Sequence, residues 1–224
     1  MANTYRFDDL VDLVKENDGE IARSSIDAYF YKNAFTGSAF EKLIDRENPN
    51  EITAKDLIAV TMLGVKVPAT AARWILGEGK HELSSQLSKI DQYLTISDSY
   101  SDLSNGSPAW MLFSILDRRD GLGRTITSKI LAAKRPGLIP IYDQHVAAYL
   151  GFSKEDYWNP WREFMQNPES LWCRNRVSEL AIDLGIHDVS QLRLLDVVIW
   201  MKQYGHTQID PELVKQNMMK DVSY

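Results

Sequence analysis

Gly121-Leu122-Gly123, followed at once by Arg124, is the segment of this 224-residue chain whose residue types and spacing can do chemistry. Two glycines permit positive φ and a close backbone approach. Leu122 between them can plug the space between a helix that ends near Asp120 and a second that starts at Arg124. The free N–H groups at the start of that second helix then point outward, where a phosphate can be held. Arg124 and Lys129 supply charge nearby, and Thr125 and Thr127 complete the expected contact set. Contacts of this kind are independent of base sequence and sensitive to salt. The same residues also suit a plain αα-hairpin connector, which is the bland alternative. Local charge favours the phosphate. From Arg118 to Arg135 the basic residues are Arg118, Arg119, Arg124, Lys129, Lys134 and Arg135, and Asp120 is the only acid. The window is +5, which leaves −11 for the rest of a chain whose total is −6. An acidic body with one basic window can bind a polyanion there and keep it off elsewhere.

Other reactive residues are sparse. His81, His187 and His206 are scattered, with no acidic or histidine partner at metal-ligand spacing. Cys173 is the single cysteine, which rules out an internal disulfide, a zinc cluster of cysteines or a four-cysteine iron–sulfur site. It reads as a buried thiol. We therefore expect no metal site and no cofactor.

Downstream of the hairpin, Pro140-Ile141-Tyr142-Asp143-Gln144-His145-Val146 makes the pattern specific. Residues 109–151 resemble the core of the helix-hairpin-helix DNA glycosylase superfamily, relatives of endonuclease III and the adenine glycosylases. In that superfamily a Gly-Val-Gly hairpin is followed by a helix, a short apolar stretch and Asp-Thr-His-Val. Asp143-Gln144-His145-Val146 matches with Gln for Thr, and Tyr149-Leu150-Gly151 resembles the Arg-Leu-Gly that ends the next helix. The whole chain is also similar to an uncharacterised family of bacterial proteins that share Lys134-Arg135-Pro136 and Pro140-Ile141-Tyr142-Asp143. The first resemblance implies that Asp143 is the catalytic carboxylate, stabilising a sugar cation or activating the attacking water. Tyr142 and His145 would flank it in a supporting shell, with His145 packing beside Asp143 or touching backbone. An aspartate at this place also caps a helix, and capping alone would explain it. Bifunctional members carry a lysine just after the hairpin; Thr125 stands there here, and Lys129 lies one turn further on. The resemblance thus implies water as nucleophile and no strong lyase activity.

The elements that must position these residues are helical. Leu10, Val11, Leu13 and Val14 open an amphipathic stretch, and Ile21, Ile26, Tyr29 and Phe30 a second. Thr53 reads as the cap of a helix through Asp56-Leu57-Ile58-Ala59-Val60, and Pro68 opens one that runs to Leu76 and stops at Gly77 and Gly79. Residues 80–94 predict another, as do 109–119, 124–134, 171–184 and 189–203, with Gly185 splitting the last pair and Pro136 ending the hairpin's second helix. Strict alternation is scarce, so almost no sheet is expected. The polar stretch 97–107 reads as a loop, and Ser153–Pro168 as a second punctuated region.

The fold class expected is all-α: two interleaved helical subdomains with a helix-hairpin-helix, resembling a DNA glycosylase. The divisions are 1–96, 108–207 and a tail over 208–224. A hydrophobic fraction of 44% and a charged fraction of 25% suit a globular chain with a core of its own. Met1 to Asp9 carries no apolar run that could serve as a signal peptide, and no stretch reaches membrane-spanning length. A cytoplasmic monomer is expected, nucleoid-associated when bound to double-stranded DNA, with no membrane partner. Tyr29-Phe30-Tyr31, Phe35 and Phe40 read as core, though one could stack a flipped base. Trp158 and Trp161 read as packing, and Arg174 and Arg176, beside Lys202, as a solvated face or extra backbone contacts. The resulting expectation is a monofunctional DNA glycosylase acting on a damaged or modified base, in repair or against phage DNA. The rival is a non-catalytic DNA-binding protein built on the same hairpin.

Overall fold

A computed structural model describes residues 5–30, 35–153 and 156–203, and these are all helix, turn and coil, with no strand among them. Tyr31, His206 and the 208–224 tail lie outside the described residues. The helices are α1 (Phe7–Lys15), α2 (Glu20–Phe30), α3 (Phe40–Leu43), α4 (Ala54–Thr61), α5 (Ala69–Leu76) and α6 (Lys80–Leu87). There follow α7 (Pro108–Asp117), α8 (Gly123–Lys134), α9 (Gln144–Leu150), α10 (Trp158–Gln166), α11 (Leu171–Asp183) and α12 (Gln191–Gln203). No helix among the described residues is long and apolar enough to cross a membrane.

Local chemistry sets most boundaries. Thr53 and Asp56 form a reciprocal capping box at the start of α4. Pro68 stands just before α5, and Gly77 closes it. The hydroxyl of Ser107 accepts from the N–H of Trp110 at 3.2 Å and opens α7. Gly185, with φ 71°, lies in the turn between α11 and α12. The expected helix over 80–94 is shorter than its periodicity. It ends at Leu87 because the carbonyls of Leu87 and Ile90 turn to the guanidinium of Arg135, which donates to them at 2.6 and 2.8 Å.

The chain leaves one group of helices, builds a second, and returns. α1 packs on α11, and α2 on α11 and α12, while α9 also rests on α12. The middle of the chain packs separately, with α4 on α8, α6 on α7, and α7 on α8. A continuous apolar core joins the two groups, running through Leu10, Ile26, Val60, Leu112, Ile130 and Leu195. Tyr29 and Phe40 are buried, as expected for core aromatics, and Trp161 is buried as well. Cys173 is fully buried, and burial pushes its thiol up to about 12, so it is an inert packing group.

Lys134 and Arg135 are the struts that dock α8 onto the rest. The Lys134 ammonium lies 2.7 Å from the Asp56 carboxylate and donates to the carbonyls of Asp45 and Asn48. Asp56 in turn accepts from the N–H groups of Asp45 and Thr53. Arg135 also donates to the Pro49 carbonyl and the Asn50 side chain. Both cations sit at the carboxyl end of a helix, where the backbone favours positive charge. With every donor engaged, the burial is tolerated.

Candidate nucleic-acid interface

α7 and α8 are joined by the turn Arg118–Leu122, whose geometry depends on its glycines. Gly121 has φ 81° and Gly123 φ 50°, both left-handed. A Cβ on Gly121 would lie 2.7 Å from Cγ of Pro68, so the turn presses directly against the start of α5. Gly123 faces open space. Leu122 is 1% exposed and sits in the core between the two helices, so any contact it makes to a ligand must come through its backbone. As the cap of α8 it has no side-chain oxygen to offer the N–H groups of the first turn. Those groups belong to exposed Gly123 and to Arg124 and Thr125, which are half-buried.

The basic window is smaller than its sequence suggests. Lys129 is 5% exposed, and its ammonium donates to the Leu63 carbonyl at 2.9 Å. Burial holds its pKa below the usual lysine value, against the pull of Asp143 and then Asp196. Thr127 is fully buried. Both side chains of the expected contact set are thus turned inward, away from the hairpin surface. The cause is that α8 packs on α4 and α7 along two faces, leaving only its first turn open. With Lys134 and Arg135 also buried, three of the six basic residues remain: Arg118, Arg119 and Arg124. Arg119 lies over the Trp74 ring at 3.5 Å and Arg124 beside the Phe113 ring at 5.5 Å. Stacking leaves guanidinium edges able to donate.

Asp143 caps α9. Its Oδ1 accepts from the backbone N–H of His145 at 2.8 Å, and the residue is half-buried. The segment that carries it is tied to the hairpin helix, because the N–H of Tyr142 donates to Oγ of Ser128 at 2.9 Å. Tyr142 is buried and meets the Tyr157 ring edge-on at 4.9 Å. His145 is half-buried beside the cap. The carboxylate of Asp143 lies close enough to act electrostatically on Lys129, Asp196 and Tyr157. Thr125, Arg124, Tyr142, Asp143 and His145 are thus gathered around the first half of α8 and the start of α9.

Two features escaped the sequence reading. One is a cleft of about 390 Å³ between the loop before α7, α7, the start of α8 and the start of α10. Trp110, Phe113, Tyr142 and Trp158 line it, together with Arg124 and Asp156. Asp143 is not among its lining residues. The spacing of Trp110 and Phe113 on one helix face was the available signal. The other is a buried ionic group on α12. Arg193 donates to Glu41 at 2.9 Å, to Asp196, and to the Tyr29 hydroxyl at 2.6 Å. Arg193 and Asp196, three apart within the largely apolar run Leu192–Met201, were its only sequence sign. Arg174 donates to Ser170 Oγ one turn away, and Arg176 reaches across to the Asp18 carbonyl at 2.9 Å. No group of His, Cys, Asp and Glu among the described residues could hold a metal ion.

A protein-family model, described as a family of unknown function (DUF6308), matches residues 22–203. No curated protein and no solved structure matches the chain.

Proposed function

The chain belongs to the DUF6308 family of unknown function, and from its site we propose that it is a monofunctional DNA glycosylase. The observation that carries the reading is the link between hairpin and carboxylate. A turn with two left-handed glycines presents an uncapped helix start, and the Tyr142–Ser128 bond holds Asp143 beside that same helix. A phosphate gripped by the first-turn N–H groups of α8, with Arg118, Arg119 and Arg124 around it, sets one nucleotide near Asp143. That nucleotide is flipped out of the duplex. The bond from C1′ to the base nitrogen breaks, and the electron pair leaves with the base. Asp143 stabilises the cationic sugar, water adds at C1′, and its proton passes to solvent or the departing base. Thr125 stands where a Schiff-base lysine would be needed, and Lys129 is turned away toward Leu63, so no lyase step follows.

A second reading, a DNA-binding protein without catalysis, is favoured by the cap: one oxygen of Asp143 is engaged by the His145 N–H. An abasic-site assay separates the two. Duplex oligonucleotides carrying varied base modifications are incubated with the protein and then treated with heat and alkali. Strand scission that appears only after that treatment is the expected result. Tight duplex binding with no abasic site in any substrate would leave the binding protein as the reading.

A further inference from the structure

The cleft beside the hairpin has a chemistry of its own. Trp110 and Phe113 lie nearly parallel, 5.7 Å apart at 21°. Trp158 stands edge-on to both, at 6.0 Å and 87° to Trp110 and 5.1 Å and 76° to Phe113. The three rings pack on one another and together make an aromatic side of the cleft, which all three line. Such a side suits a planar ring, which stacks on one aromatic face or meets an aromatic edge. The cleft's volume, about 390 Å³, falls within the roughly 300–1,000 Å³ of small-molecule sites.

Two charged groups of opposite sign complete it, and no ion pair joins them among the described residues. Asp156 is held in place: its Oδ2 accepts from the Tyr5 hydroxyl at 3.1 Å and its Oδ1 from Asn159 Nδ2 at 2.9 Å. Each carboxylate oxygen can accept a further hydrogen bond. Arg124 offers a planar array of donors and is steadied against the Phe113 ring. An aromatic box with a fixed acceptor and a fixed donor group is built to read a flat heterocycle whose edge carries both N–H donors and acceptors.

We infer that this cleft binds a nucleobase, stacked against Trp110 and Trp158, with an amino or imino edge on Asp156 and an acceptor on Arg124. Arg124 also opens α8, so the cleft and the phosphate grip share one residue and adjoin. That the ligand is a base of nucleic acid rests on the function proposed above; that the cleft takes a planar heteroaromatic ring does not.

The test titrates the full chain with adenosine, guanosine, cytidine and thymidine, and with ribose as a sugar control. Binding is followed by tryptophan fluorescence and by calorimetry. At least one nucleoside should quench the emission saturably, and ribose should not. Asp156→Asn, which keeps the shape of the side chain, should weaken that binding about tenfold, as should Trp110→Ala through lost stacking. Circular dichroism identifies any variant that fails to fold, and Asn159→Ala, which frees Asp156 from an exposed position, then serves as the second variant. No response to any nucleoside at millimolar concentration overturns the inference, as does binding that Asp156→Asn and Asn159→Ala leave unchanged. Nucleoside binding without excision from any duplex removes the glycosylase and keeps the cleft; duplex excision without nucleoside binding, and unaffected by Asp156→Asn, does the reverse.

Discussion

The backbone N–H of Tyr142 donates to Oγ of Ser128, and this one bond joins the hairpin helix to the segment that carries Asp143. Ser128 is fully buried, and its hydroxyl donates onward to the Thr125 carbonyl. Ser128→Ala would leave the Tyr142 N–H buried without an acceptor. A loss of about 1–3 kcal/mol of stability is expected in urea denaturation. A change below roughly 0.5 kcal/mol would mean that water or another acceptor replaces the hydroxyl and that the link is dispensable.

The two hairpin glycines should differ in their response to alanine. Both pay for left-handed backbone, about 1–2 kcal/mol each. Gly121→Ala adds a methyl against Cγ of Pro68, whereas Gly123→Ala points into open space. The Gly121 variant is therefore the less stable of the two by thermal unfolding. Equal melting temperatures would show that α5 yields to the turn.

Charge changes along α8 separate exposed from buried cations. Arg124→Glu should weaken duplex binding alike across sequences and reduce the slope of log affinity against log salt by about one. Lys129→Met also removes a positive charge but should leave that slope unaltered, because its ammonium is held by the Leu63 carbonyl and not by solvent. A matching loss of salt dependence in the Lys129 variant would place Lys129 on the phosphate path after all.

Asp143→Asn tests the cap against the chemistry. Asparagine caps a helix as well as aspartate, so stability should be retained either way. If the charge stabilises a cationic transition state, base release falls by orders of magnitude while duplex binding persists or tightens. Wild-type excision in the folded variant would remove Asp143 from the mechanism.

Burial pushes the carboxyl of Asp196 up to about 6 from an ordinary 3.8, in spite of Arg193 beside it. Its pKa is higher folded than unfolded, so its contribution to stability is fully present below pH 3.8 and is lost as pH rises through about 6. Asp196→Asn cannot titrate there. The stability of the wild-type chain relative to this variant should fall by up to about 3 kcal/mol between pH 4 and pH 7, read from urea curves. Parallel curves would show an Asp196 that titrates as it does in the unfolded chain.

Most helical elements were legible in the sequence because short-range interactions dictate them, though α10 forms within the stretch 153–168 that reads as punctuated. Thr53 and Asp56 cap α4 from three residues apart, Ser107 opens α7, and Gly121 and Gly123 adopt the left-handed backbone that their lack of a Cβ allows. The helix expected over 80–94 forms only as far as Leu87, and at that end Arg135, more than forty residues away, donates to the carbonyls of Leu87 and Ile90.

The sequence by itself thus determined the helical character of the described residues, a glycine hairpin and an aspartate at the head of the next helix. Tertiary structure alone decided which cations face solvent. Lys129, Lys134 and Arg135 carry the same charge as Arg118, Arg119 and Arg124, but carbonyls at Asp45, Asn48, Pro49, Leu63, Leu87 and Ile90 draw them inward. It also decided the cleft, since Trp158 and Asp156 meet Trp110 only when α10 folds back onto α7. Periodicity and charge are properties of neighbours in sequence; exposure and the walls of a cavity depend on residues brought together from distant parts of the chain.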